Sequence, residues 1–117
     1  MKSKKVTEEP KITPSKFIPE EFTLGGTNWL VTRMFKNDKG LGNMGDCSDI
    51  TNEIRLVSAL EFDGETMIVP LDKQEETFFH ELFHAILMQM GHKDARNEHF
   101  VQCLGTFLYQ FLKTAKI

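Results

Sequence analysis

An α+β domain is the fold class that this chain predicts, and the order of its patterns carries the prediction. Short strand-like stretches broken by glycine and asparagine turns fill residues 20–71, and two long stretches of helical spacing follow them. The expected architecture is a small antiparallel or mixed sheet, then a helix bearing His80-Glu81-Leu82-Phe83-His84, then a C-terminal helix. At 117 residues the chain is long enough for one core without staples, and 40% apolar with 26% charged residues is ordinary globular composition.

Residues 1–19 carry Pro10, Pro14 and Pro19 among lysines and glutamates and lack any periodicity. They are expected to form a mobile arm ahead of a single domain at 20–117, with Phe17 and Ile18 as its docking residues. Phe22-Thr23-Leu24, the Gly25-Gly26 turn and residues 28–35 read as a β-hairpin. Trp29, Val31 and Phe35 fall on one face of its second strand and Leu30 and Met34 on the other, with a core place expected for all five. Residues 36–45 hold Asn37, Asp38, three glycines and Asn43, which is loop composition. Two short strands are expected next, at 46–50 and 53–57, turning at Thr51-Asn52. Asp63-Gly64 signals a further hairpin between Leu60-Glu61-Phe62 and Met67-Ile68-Val69, with a plain loop as the alternative.

The first helix is expected to start near Asp72. Glu75 follows three residues on, in the spacing of a capping box, and Gly91 supplies the stop. Phe79, Leu82, Phe83, Ile86 and Met90 would form its apolar arc. The second helix, from about Asn97 to Thr114, has Phe100, Val101, Leu104, Phe107, Leu108, Phe111 and Leu112 on one side.

The chemistry sits in the first helix. Residues four apart lie about 40° apart in projection and about 6 Å apart along the axis. His80 and His84 can therefore reach one tetrahedral ion from the same face, with bonds of about 2.0–2.1 Å. Glu81 lies about 100° round from His80, where a carboxylate can take a proton from water without binding the metal. H-E-x-x-H on a helix is the pattern of zinc hydrolases. A metzincin is excluded, because that pattern needs Gly and a further His where Leu87 and Met90 stand.

Other residues point to few alternatives. Asp46 and Asp49 sit beside a turn and read as solvated carboxylates rather than a second metal site. Cys47 and Cys103 lack C-x-x-C spacing, so core filling in a reducing cytoplasm is the expectation. A net charge of −3 without a dense basic cluster argues against a nucleic-acid partner. No apolar run reaches the length of a membrane span, and no signal peptide is expected at the N-terminus.

With these residues in view, the chain resembles the small zincin-like metallopeptidases of the ImmA/IrrE type, in their compact phage and prophage form. The resemblance covers roughly residues 22–113. It rests on the late H-E-x-x-H helix, on Asn97-Glu98-His99-Phe100-Val101 opening the last helix, and on Leu104 to Leu112 with their Leu-Tyr-Gln centre. It implies zinc held by His80, His84 and Glu98, with Glu81 as catalytic glutamate. It also implies that residues 53–57 form the strand along which a substrate adds. The extra DNA-binding or regulatory domains of larger family members have no counterpart here, so their repressor cleavage does not carry over.

From the residues alone, Glu98, His99 and His92 compete to be the third ligand. The apolar side of the last helix is centred about 110° from Glu98 and about 150° from His99, which favours Glu98. Gly105, between that side and Glu98, would let the first helix come close. Tyr109, about 16 Å along the helix from Glu98, is expected to pack at the core edge rather than to serve catalysis. The expected function is zinc-dependent hydrolysis of a peptide bond in a peptide or protein substrate. The alternatives are a zinc-binding interaction protein with vestigial catalysis and a zinc hydrolase of a non-peptide amide.

Overall fold

The computed structural model describes residues 12–37 and 43–117. Residues 1–11 of the expected arm and 38–42 of the expected loop lie outside them. Among the described residues five strands precede two helices: β1 (Glu21–Leu24), β2 (Thr27–Asn37), β3 (Gly45–Ser48), β4 (Glu53–Phe62), β5 (Glu65–Ile68), α1 (Leu71–Met90) and α2 (Glu98–Thr114). The class is α+β, as expected. Both hairpins form: Gly25 and Gly26 turn β1 into β2, and Asp63 and Gly64, both at positive φ, turn β4 into β5. Among the described residues no helix is long and apolar enough to cross a membrane.

The sheet is mixed, because β4 inserts between β2 and β3. It runs parallel to β2 and antiparallel to β3, and its second half pairs with β5 on the edge that its first half gives to β3. A strand with neighbours on both edges has its polar backbone satisfied and can be apolar throughout. The middle of β4 comes close to this, with Ile54, Leu56, Val57, Ser58 and Ala59 all buried, although Arg55 stays exposed. A register shift opposite Met34 and Phe35 leaves Ser58 outside the β2 ladder. Its carbonyl instead accepts from the Val69 N–H, and its hydroxyl donates to Gln74 on α1.

Pairing on both edges corrects the expected substrate strand. Residues 53–57 lie inside the sheet and have no free edge for another chain. Among the described strands β3 pairs only with β4, so the open edge beside α1 belongs to residues 45–48.

The core lies between the sheet and the helices. Trp29, Ile54, Leu56, Phe78, Phe79, Ala85 and Tyr109 are buried together. Phe17 and Ile18 do dock: Ile18 joins this cluster, and the Phe17 ring meets Phe79 and Tyr109 edge-on at 6.1 and 5.9 Å. Leu30 departs from its expected core place and is 51% exposed, since it lies on the sheet face opposite Trp29.

Helix α1 starts one residue before the expected Asp72. Pro70 precedes it in an extended conformation, and the Pro70 carbonyl accepts from the N–H groups of Lys73 and Gln74. Asp72 is therefore in the first turn, and Glu75 closes no capping box. Its buried carboxylate accepts from Ser15 and from the Tyr109 hydroxyl, each at 2.6 Å. At the other end Gly91 takes the left-handed conformation at φ 68°, the stop that was expected. Met90 falls outside the buried side at 66% exposed.

Candidate metal centre

The two helices bring His80, His84 and Glu98 together, and one ligand atom from each lies within 4.8 Å of the others. His80 and His84 stand one turn apart on α1 with ring centroids 4.9 Å from each other. Glu98 is the first residue of α2. The Asn97 side chain caps that helix by accepting from the Phe100 N–H, so the position of Glu98 is set by a defined helix start. One Glu98 oxygen lies 2.8 Å from His80 Nε2 and 3.2 Å from His84 Nε2. Two ligands bonded to one tetrahedral ion at about 2.0–2.1 Å stand roughly 3.3 Å apart, so the spacing suits a shared cation.

The far side of each imidazole decides what that spacing means. His84 Nδ1 lies 2.7 Å from the Ala95 carbonyl, which can only accept, so Nδ1 carries the proton. His80 Nδ1 lies 2.8 Å from Gln102 Oε1, while the Gln102 amide nitrogen donates to Thr106 at 2.9 Å. That commitment turns the amide oxygen toward His80, so its Nδ1 is also the donor. In the neutral rings both Nε2 lone pairs then point at a carboxylate oxygen. Such an arrangement is repulsive unless a cation lies between them or both rings take a second proton. A divalent ion satisfies all three groups at once, and a partner on the second ring nitrogen is the usual support of a histidine ligand. The donor set thus fits zinc.

The close approach of α1 and α2 depends on one missing side chain. A Cβ on Gly105 would stand 3.0 Å from the His80 nitrogen and 3.1 Å from its Cα. The glycine expected between the apolar side and Glu98 is where the helices meet. The packed face of α2 is nevertheless turned from its apolar centre. Val101, Gly105 and Tyr109 are the buried residues, while Phe107 and Phe111 are 67% and 63% exposed. Glu98 consequently lies nearer the contact than the expected 110°, and that turn carries it to the histidines.

Neither rival ligand reaches the cluster. His99 is exposed and lies beside Cys103, and the His92 ring stacks on Phe100 with Nδ1 accepting from the Asp94 N–H. Asp46 is held by Arg55 through two hydrogen bonds of 2.8 and 2.6 Å, so it is not poised for a second metal. Tyr109 is buried against Phe79 and donates to Glu75, a core place as expected.

Glu81 is 7% exposed and lines the cleft that holds the cluster. Burial holds its carboxyl above the ordinary carboxylate range, against the opposite pull of His80 and His84. For Glu98, burial pushes upward, but the two imidazoles, when each carries a second proton, pull further the other way and leave the carboxyl below its ordinary value.

The cleft measures about 780 Å³. One wall is β3, whose approach to α1 again depends on glycine: a Cβ on Gly45 would fall 2.7 Å from the Thr77 methyl. The Val57 N–H donates to the Met44 carbonyl, extending the β3–β4 ladder by one pair. Alternation along an antiparallel ladder then turns the backbone groups of Gly45 and Cys47 away from β4, toward the open edge. Met44, Leu60, Met67 and Ile68 make an apolar stretch of the lining, and Arg96 adds a cation.

Gln102, the Ala95 carbonyl and the β3 edge were not singled out from the sequence. Gln102 follows Glu98 by four residues on one helix face, a spacing that could have marked it. Comparison of the chain with family models, with curated proteins and with solved structures gave no match.

Proposed function

We propose that this chain is a zinc-dependent peptidase, a compact relative of the ImmA/IrrE-type metallopeptidases. The observation that carries the reading is the pair of imidazoles whose Nδ1 atoms are committed to acceptors while both Nε2 atoms face one Glu98 oxygen. His80, His84 and Glu98 would hold the ion, three protein ligands leaving a fourth position open, as in catalytic rather than structural zinc sites. When bound, zinc supplies Lewis acidity toward water and toward a scissile carbonyl.

The remaining roles belong to the chain's own side chains and backbone. Glu81, one residue from His80 and not among the three ligands, takes the proton of the attacking water and delivers it to the leaving amine. Its place in the cleft wall limits the bulk water that competes for that proton. Gln102 and the Ala95 carbonyl hold the two rings in the tautomer that ligation needs. The outward backbone groups of Gly45 and Cys47 accept an extended peptide as an added antiparallel strand, and the apolar stretch of the cleft takes its side chains.

Metal analysis and peptide cleavage test this together. Purified protein should hold about one zinc per chain, and His84→Ala should lose most of it. Glu81→Gln should keep the zinc while cleavage of a mixed peptide library falls by roughly 10²–10⁴-fold. Folded wild-type protein that takes up no zinc sinks the metal centre. A Glu81→Gln variant that cleaves as fast as wild type removes the general base.

A further inference from the structure

Helix α2 carries two apolar faces, and one of them meets the body of the protein only in part. Val101, Gly105 and Tyr109 are buried on the side of α1. Phe100, Leu104, Phe107 and Phe111 occupy another side, in steps of four, three and four residues. These are the alternating steps of a coiled-coil seam. Phe100 and Leu104 lean onto the cluster of Leu87, Ala95 and Val101, whereas Phe107 and Phe111 stand 67% and 63% exposed beside Leu112 at 40%. Single exposed apolar residues are normal on a protein surface, but aligned phenylalanines at seam spacing mark a contact. In projection the seam is centred about 150° from Glu98, so it faces away from the metal centre.

We propose that this seam is the interface through which two copies of the chain associate, α2 against α2, antiparallel about a two-fold axis. Seam spacing is met by another helix rather than by a strand or loop. The order four, three, four reads the same in both directions, so an antiparallel copy presents a residue at every layer. Phe100 then meets the partner's Phe111, and Leu104 meets the partner's Phe107. This is the self-complementary contact that a two-fold dimer requires. The flanks favour a like copy as well. Cys103, Gln110 and Thr114 border one side and Leu108 the other, with no charge to repel a copy or to select a different helix by sign.

Covering the seam on both copies removes on the order of 1,000 Å² from water, at the lower end for specific association. The dimer is therefore weak and reversible. Both clefts remain open.

Sedimentation velocity from micromolar to near-millimolar protein tests the proposal. The wild-type mass should climb from monomer toward dimer across that range. Phe107→Glu and Phe107→Lys should each stay monomeric. Far-UV circular dichroism and thermal unfolding of the two variants should match wild type, since the replaced ring is mostly in solvent. A wild-type chain that stays monomeric overturns the proposal, as does a Phe107→Glu variant that dimerises like wild type.

Discussion

The groups behind His80 and His84 are what would make them ligands in the proposed metal centre. An imidazole on a helix can turn either nitrogen outward, and the Ala95 carbonyl and the Gln102 amide remove that choice. Glu98 completes the set although its side chain is 72% exposed, because the start of α2 aims it. Glu98→Ala should therefore cut zinc affinity far more than His99→Ala or His92→Ala, as read by competition with a chromophoric chelator; the opposite ranking overturns the ligand assignment. Cys47 is a contrasting neighbour in the same cleft. Burial pushes its thiol from 9.0 up to about 12, and the charges of Glu81, Asp49 and Asp46 act in the same direction. With a folded value above the unfolded one, the unfolded chain loses its proton first as pH rises. The stabilisation is complete below 9.0 and is lost as pH climbs toward about 12. Between those limits unfolding free energy should fall more steeply for wild type than for Cys47→Ala, and equal slopes would show a thiol that ionises freely in the folded state.

Two glycines set how close the elements around the cleft can come. Gly105 lets α2 lie against the backbone of His80, and Gly45 lets the β3 edge lie against Thr77, one turn earlier on α1. The neighbour at Gly105 is backbone, which cannot swing aside as a side chain can. Gly105→Ala should push the helices apart and lower stability by about 1–3 kcal/mol, the usual cost of overpacking. It should also weaken zinc binding, because His80 moves relative to Glu98. Thermal unfolding and zinc titration of the one variant read both effects, and an unchanged melting curve would mean that the contact has slack. The exposed phenylalanines of α2 follow from the same geometry, since a helix pinned at Gly105 cannot also turn its most apolar side inward.

At the scale of the molecule, the segment ahead of β1 ties the sheet to both helices. Ser15 donates to Glu75 on α1, the Phe17 ring lies against Phe79 of α1 and Tyr109 of α2, and Ile18 is 8% exposed in the core. In the first turn of α1, Gln74 accepts from Arg33 of β2 and from Ser58 of β4 and donates to the Val69 carbonyl. Helix α1 is thus fixed to the sheet before it reaches His80. Ile18→Ala should cost about 2–5 kcal/mol, and a chain starting at Glu20 should lose more. Denaturant unfolding measures both, and a shortened chain as stable as the full one would mean that the segment adds nothing to the core.

Local chemistry was legible from the residues themselves. Helix spacing set His80 and His84 on one face, Gly91 ended α1, and Gly25-Gly26 and Asp63-Gly64 turned the hairpins, because each depends on backbone geometry within a few residues. Even the close approach at Gly105 could be read from a helical projection. What depends on distant partners was not legible. The family resemblance implied a free edge at residues 53–57, but β2 and β3 enclose them, and strand order is decided by partners far away in the chain. The apolar count on α2 pointed to Phe107 and Phe111 as core, whereas contact with α1 turned them outward. Glu75 had the spacing of a cap and became instead the buried acceptor of Ser15 and Tyr109. A helix wheel records where apolar side chains lie, but only the neighbouring elements decide which of them find a surface to bury against.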